Sequence, residues 1–437
     1  MHFTEFMTNT FYRWLIAVKK PANQLWLVPA YWAVFAVIFA FIARFFGDML
    51  QAGILPDIER SILDGLLSIV TSSMLSVSTF SLSIMVSALS SAANGATPRA
   101  MMLVMADDYT RTAIASFIAA FIYAVIAKTA LGMEYYGQNG RFILFVGTIA
   151  VIVYLIATLI RWVSILSQLG SLGNTLQKIS TKTESALDDY YSSPDMGATW
   201  KGSLQQPVRP IYAKQPGYLT HIDMMSLQKL AEEHETYVSI IVRPGKLLTP
   251  NTVMACLSAG QSDADLADKF AGCFVINQER TYEQDPQYGL NVLSEAAQRA
   301  LSPGINDPGT AISVMVMILR LLTKPQPECE ETRYDRLSII AADSNQWVPQ
   351  TFLPIARDGA GAAEVGLTMQ KVLAGIAANS QDPHIAASAA DTAHAVLKRF
   401  EKILDFEDDK ERLLRQHREL FGQVKLNRPE YFGDSLS

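Results

Sequence analysis

Residues 68–90 read "SIVTSSMLSVSTFSLSIMVSALS". Ser68, Ser72, Ser76, Thr79, Ser83, Ser87 and Ser90 recur at steps of four and three, which sets seven hydroxyls on one stripe of a helix. Leu75, Val77, Phe80, Leu82, Ile84, Met85, Val86 and Leu89 fill the rest of its surface. Hydrocarbon tolerates such a helix, because each hydroxyl can donate back to the carbonyl one turn earlier. Two accounts of the seam stand side by side. Small hydroxyl residues let neighbouring helices approach closely and hydrogen-bond across the contact. Alternatively the seam faces water, and several copies of the helix line a path with groups that neither trap an ion nor demand a counter-charge.

Outward from the seam, the chain holds four stretches near the roughly 20 apolar residues that a bilayer crossing needs. They are "LWLVPAYWAVFAVIFAFIARFF" from Leu25, the seam helix from about Leu66 to Leu89, "TAIASFIAAFIYAVIAKTAL" from Thr112 and "FILFVGTIAVIVYLIATLIRWV" from Phe142. Arg13, Lys19 and Lys20 precede the first, and Arg161, Lys178 and Lys182 follow the fourth. The first intervening loop carries Asp48, Asp57 and Glu59 against Arg60. Positive flanks stay in the cytoplasm, so both the N-terminus and the C-terminal part are expected there. Residues 1–24 set Phe6, Phe11, Trp14 and Leu15 among basic residues, either as an interfacial helix or as an extension of the first span. The run from Leu25 is too long for the apolar core of a cleavable signal and lacks a small-residue cleavage site.

Half of the 437 residues are hydrophobic and 18% are charged, with nearly all charge clusters beyond residue 174. That asymmetry predicts a membrane part followed by a soluble part. A net charge of −6 without a basic stripe gives no case for nucleic acid. Cys256, Cys273 and Cys329 form no C-x-x-C pair, and free thiols in the soluble part suit a reducing cytosol. The expected fold is thus a membrane α-helical bundle of four transmembrane helices plus a cytosolic α+β domain. Its expected parts are an N-terminal segment (1–24), a transmembrane domain (25–165), a helical extension and linker (166–206), a β-rich subdomain (207–280) and a mostly helical subdomain (281–437).

Asn94-Gly95 and Pro98 end the seam helix. Arg99, Asp107, Asp108 and Arg111 then crowd the apolar "MMLVM", as salt-bridged anchors or as the charged cytosolic mouth of a path. In the soluble part, "VRPIYA", "GYLTHI" and "TYVSIIVRPG" read as strands of a small β-barrel or sandwich-like body. "DMMSLQKLAEEH" reads as a helix capped by Asp223. Pro286 opens a second helix that "SPGIND" breaks, and Pro308 opens a third with Asn306 or Asp307 as its cap. That loop is a rigid corner or a ligand site; an acidic cap at the positive helix end argues against an anion there. The last 110 residues read as mostly helical.

"RTYEQD" (280–285) followed by "RALSPGINDPGTA" (299–311) resembles the signature of the domain-of-unknown-function 2254 family of predicted bacterial membrane proteins. Residues 96–127 and 213–231 are similar to that family too, with Pro98, Arg99, Asp107 or Asp108, Phe117, Phe121 and Tyr123 in place. The resemblance singles out a family-motif corner of Arg280, Gln284, Asp285, Ser302, Pro303, Asn306, Asp307 and Pro308. It implies a fold and a membrane location and carries no activity. Gly309 departs from an expected phenylalanine and Thr97 from an expected serine.

No Walker A, H-E-x-x-H, G-x-S-x-G or G-x-G-x-x-G pattern occurs, and the glycines of "GAGAAEVG" from Gly359 have the wrong spacing. Asp391 and His394, with His384 before them, match a helix surface better than a metal site. Asp285, Glu295, Arg299 and Asp307 read as a salt-bridge network sooner than an acid–base pair. The sequence therefore predicts no enzyme, cofactor or metal, but a multi-pass protein of the bacterial inner (plasma) membrane. Its expected partners are membrane lipid, other copies of itself and a small ion or solute, with the seam lining a path and the cytosolic domain assembling or gating it. The alternative is a membrane-tethered sensor or scaffold whose cytosolic domain binds a partner or small ligand.

Overall fold

The computed structural model describes scattered residues between 30 and 49, and residues 55–95, 97–100, 103, 108–166, 171–204, 208–258, 264–329 and 333–422. These fall into two compact units that divide near Thr175.

In the first unit, α1 (Arg60–Gly95), α2 (Asp108–Gly132) and α3 (Gln138–Leu166) are long and apolar enough to cross a membrane. A shorter apolar helix, Ala30–Phe46, runs partly over residues outside the described set. Of the four expected crossings, three are therefore present among the described residues, and the one expected from Leu25, like residues 1–24, lies largely or wholly outside them. Leu63, Leu67, Val70 and Met74 of α1 pack with Phe117, Ala120 and Ala124 of α2 and with Leu144, Leu155 and Trp162 of α3. Trp162 meets Phe117 edge-on at 5.9 Å between ring centroids. Two hydroxyl pairs tie α2 to α3: Tyr123 with Thr148 at 3.1 Å and Ser116 with Tyr154 at 2.9 Å. The expected run-on of the last crossing is described as two helices, α3 and then α4 (Leu172–Ser192), with residues 167–170 outside the described set.

The second unit opens with strands β1 (Val208–Tyr212) and β2 (Gly217–Ile222), helix α5 (Met224–Glu233), and strands β3 (Val238–Ile240), β4 (Leu247–Leu248) and β5 (Val253–Ser258). Helix α6 (Ala264–Ala271) and strand β6 (Phe274–Asn277) follow. Asp223 caps α5 as its position predicts, accepting from the Ser226 N–H at 3.0 Å. The strands form a mixed four-stranded sheet, order β1-β5-β3-β7, and a three-stranded antiparallel sheet, order β4-β2-β6. The expected barrel or sandwich is thus a small region of two separate sheets over one core, built from Leu219, Ile222, Leu227, Val238, Ile240, Leu257 and Phe270.

Helices complete the unit: α7 (Pro286–Ala300), α8 (Pro308–Leu322), α9 (Trp347–Gly359), α10 (Ala363–Asn379), α11 (Pro383–Ile403) and α12 (Glu407–Phe421). Between α8 and α9, strand β7 (Leu337–Ile339) lies parallel to β3, with Val238 opposite Leu337. That pairing carries residues 340–347 to the turn after β3. Gly289 lets α7 approach α4, since a Cβ there would run into Thr183.

Candidate functional site

The seam of α1 is the first candidate. Leu63, Leu67, Val70, Met74, Ser78, Ser81 and Ala88 are buried, whereas Ser72, Ser76, Thr79, Ser83, Ser87 and Ser90 are exposed and Ser68 is half-buried. At about 100° per residue these two sets lie on opposite sides of the helix. Apart from Ser68, which meets Lys128 of α2, the seam lies opposite the side by which α1 packs among the described residues of its unit. Its hydroxyls satisfy themselves on the backbone: Ser72 donates to the Ser68 carbonyl at 2.9 Å, Ser76 to Ser72 at 3.0 Å and Ser83 to Thr79 at 3.0 Å.

One end of the seam is charged. Lys128 of α2 donates to the Ser68 hydroxyl at 2.5 Å and lies 3.5 Å from Asp64. No motif or spacing joins these residues, which lie on different helices. Arg141 pairs with Asp57 at 2.6 Å and Arg60 with Glu134 at 3.1 Å, closing the same end of the bundle. Of the residues read as a mouth, Arg99 is exposed in a short 3-10 turn and Arg111 is buried on α2. Asp108 begins α2, and Asp107 lies outside the described residues.

The family-motif residues divide into two groups. Arg280 donates Nε and Nη2 to the two carboxylate oxygens of Asp285 at 2.9 and 2.8 Å, and its guanidinium lies 5.2 Å from the centre of the Tyr288 ring. Asp285 is buried and caps α7 through the Tyr288 N–H at 3.2 Å. Burial pushes its carboxyl above the usual range, opposed by Arg280 and by that N–H. Gln284, at φ +53°, accepts from the Ile222 N–H at 3.0 Å and so pins the segment to the end of β2. The second group forms an exposed corner. Ser302 donates to the Arg299 carbonyl at 2.6 Å, Pro303 is exposed, and Asn306 takes φ +51°. Of the two expected caps, Asp307 is the one used, accepting from the Thr310 N–H at 3.0 Å and its hydroxyl at 2.6 Å. Those bonds hold its carboxyl below the usual range. Of the expected network of Asp285, Glu295, Arg299 and Asp307, Asp285 is instead paired with Arg280 and Asp307 is bonded to Thr310.

Arg280, Gln284 and Asp285 also line a cleft of about 530 Å³ in the second unit. Tyr190, Arg243, Lys246, Gln287, Gln346, Trp347 and Gln350 complete its walls. Arg243 donates Nε to the Ile340 carbonyl and Nη2 to that of Pro194, both at 2.7 Å. Desolvation in this setting lowers its pKa. Tyr190 stacks edge-on against Trp347 at 5.0 Å. Burial, then the charge of Asp382, raises the Tyr190 phenol.

The model of a family described as "Predicted membrane protein (DUF2254)" matches residues 22–375. The chain belongs to the DUF2254 family. It is also similar to an uncharacterised protein of Mycobacterium bovis and to one of Mycobacterium tuberculosis, each 24% identical over 341 residues. Each match covers 73% of this chain and 64% of the relative, so the chain spans less than two thirds of those curated relatives. No solved structure matches it. A membrane location follows from the family and from its apolar helices.

In this DUF2254 chain the histidines assemble in a way the sequence did not suggest. His417 of α12 is buried; its Nδ1 meets the Gln370 amide oxygen at 2.8 Å and its Nε2 meets His394 Nδ1 at 3.0 Å. The Gln370 amide nitrogen donates to the Ala393 carbonyl at 3.0 Å, so His417 carries its proton on Nδ1. Burial and His394 lower its pKa. Among the described residues no three His, Cys, Asp or Glu side chains converge as metal ligands. All three cysteines are free thiols, and burial together with Asp223 pushes Cys273 up to about 11.

Proposed function

We propose that the protein works as a homo-oligomeric channel or transport-like assembly in the bacterial inner (plasma) membrane, with its second unit in the cytoplasm assembling and gating it. In this reading α1 lines the path. The observation that carries it is the placement of the hydroxyl seam opposite the packing face of α1. Hydroxyls that already bond their own carbonyls gain nothing from acyl chains. They have a use against a second copy, by close approach, or against water. Lys128 and Asp64 at one end of the seam add a charged entrance of the kind that marks polar pathways in membrane segments. With few other charges along the seam, the path suits a small ion or polar solute.

Purified protein reconstituted into planar bilayers tests this. The expected result is conductance that falls when Ser76→Cys or Ser83→Cys, in a background with Cys256, Cys273 and Cys329 replaced by serine, reacts with a water-soluble thiol reagent. Absence of conductance, together with cysteines at both positions that stay inert to the reagent, removes α1 from the path.

A further inference from the structure

We propose that the cleft between Arg243, Arg280 and Gln287 binds a small phosphorylated polyol. The proposal concerns the second unit alone and does not rest on the transport reading. A volume of about 530 Å³ falls within the range of small-molecule sites, roughly 300–1,000 Å³.

The charge set selects an anion. Arg243 is clamped by two carbonyls and Arg280 by the two oxygens of Asp285, so neither guanidinium has much freedom left to lose on binding. Lys246 is exposed and has no ion-pair partner among the described residues. Against these three cations the walls carry Asp285, already paired with Arg280, and Asp343, while Asp195 lies 4.0 Å from Arg243 and is shared with Lys201 at 3.1 Å. Cations from separate turns suit the several oxygens of a phosphate better than a single carboxylate.

The amides select hydroxyls. The Gln287 side-chain oxygen is buried with no hydrogen-bond partner among the described residues, while its nitrogen is committed to Asn291 at 2.7 Å. A buried acceptor left unmade is unfavourable, and a turn of the Gln287 amide toward the cleft lets a ligand hydroxyl satisfy it. Gln346 and Gln350 place two exposed amides on the same walls, and Tyr190 against Trp347 offers an apolar face for a carbon skeleton.

A polyol phosphate occurs free, as a sugar phosphate, or as the head group of a phosphatidylglycerol-type lipid. The whole chain in detergent, titrated calorimetrically with ribose 5-phosphate, with ribose and with inorganic phosphate, tests the site. Ribose 5-phosphate is expected to bind and ribose alone to fail. Lys246→Glu, on an exposed side chain, should weaken ribose 5-phosphate by about tenfold or more without moving the melting temperature. Gln287→Leu should weaken ribose 5-phosphate while leaving inorganic phosphate unchanged. Soluble dihexanoylphosphatidylglycerol that binds and displaces the sugar phosphate assigns the site to the lipid head group; failure to displace it assigns the free ester. The proposal is overturned if neither ribose 5-phosphate nor the short-chain lipid binds, or if Lys246→Glu binds both as the parent does.

Discussion

Asp285-Pro286 and Asp307-Pro308 are one local device used twice. Each aspartate caps a fifteen-residue helix whose first residue is proline, and each accepts from the N–H three residues on. Their surroundings differ. Asp285 is buried, paired with Arg280 and set against the Pro244-Gly245 turn, whereas Asp307 is exposed and satisfied by Thr310. The same sequence chemistry therefore yields a tertiary lock at one helix start and a self-contained stop at the other. Their carboxyls shift in opposite directions for that reason: burial dominates at Asp285 and hydrogen bonding at Asp307.

Breaking the lock should cost most. Arg280→Ala leaves a buried carboxylate without its cation, and a loss on the order of 3 kcal/mol is expected, read as a fall in melting temperature of the detergent-solubilised chain. A change below about 0.5 kcal/mol would make the pair an ordinary surface bridge. Gly245→Val comes next. Gly245 sits at φ +92°, where a side chain is strained, and its Cβ would collide with the Asp285 carboxylate. We expect a loss of about 1–3 kcal/mol, with strain and collision acting together. Asp307→Ala removes only a cap, for about 1 kcal/mol. A cost equal to that of Arg280→Ala would erase the contrast between the two starts.

The caps were legible in the sequence because everything they need lies within three residues. Asp223, and Asn306 or Asp307, were placed from the next turn of chain alone; the cap at Asp285 was not read, although Pro286 marked the helix start. The lock was not legible, although Arg280 and Asp285 are only five residues apart. Their meeting depends on the left-handed backbone at Gln284, which glutamine does not advertise. The cleft draws Arg243 and Lys246 from the turn after β3, and Gln346 and Gln350 from the start of α9, joined through the parallel β3–β7 pairing. No periodicity reports such a juxtaposition. In the first unit the seam showed as a repeat of four and three, but the direction it faces depends on where Phe117 and Trp162 meet α1. Lys128 and Asp64, on different helices, carried no sequence signal of pairing.

The smallest effect separates the two aspartates most cleanly, because it compares directions rather than sizes. Asp307 has a folded-state pKa below its unfolded value, so the stability it contributes is present above that unfolded value, about 3.9, and is lost as pH falls through the folded one. Asp285 has a folded-state pKa above its unfolded value, so its contribution is present below the unfolded value and is lost as pH rises through the folded one. Asparagine caps about as well as aspartate and does not titrate. Melting temperatures followed from about pH 6 to about pH 3 should therefore fall less steeply in Asp307→Asn than in the parent, and more steeply in Asp285→Asn. Because Asp307 is exposed, its part of the difference is small and shrinks with added salt, while the part due to Asp285 persists. Parallel acid limbs in the two variants would mean that the two carboxyls sense the same environment, and the contrast between lock and stop would then rest on packing alone.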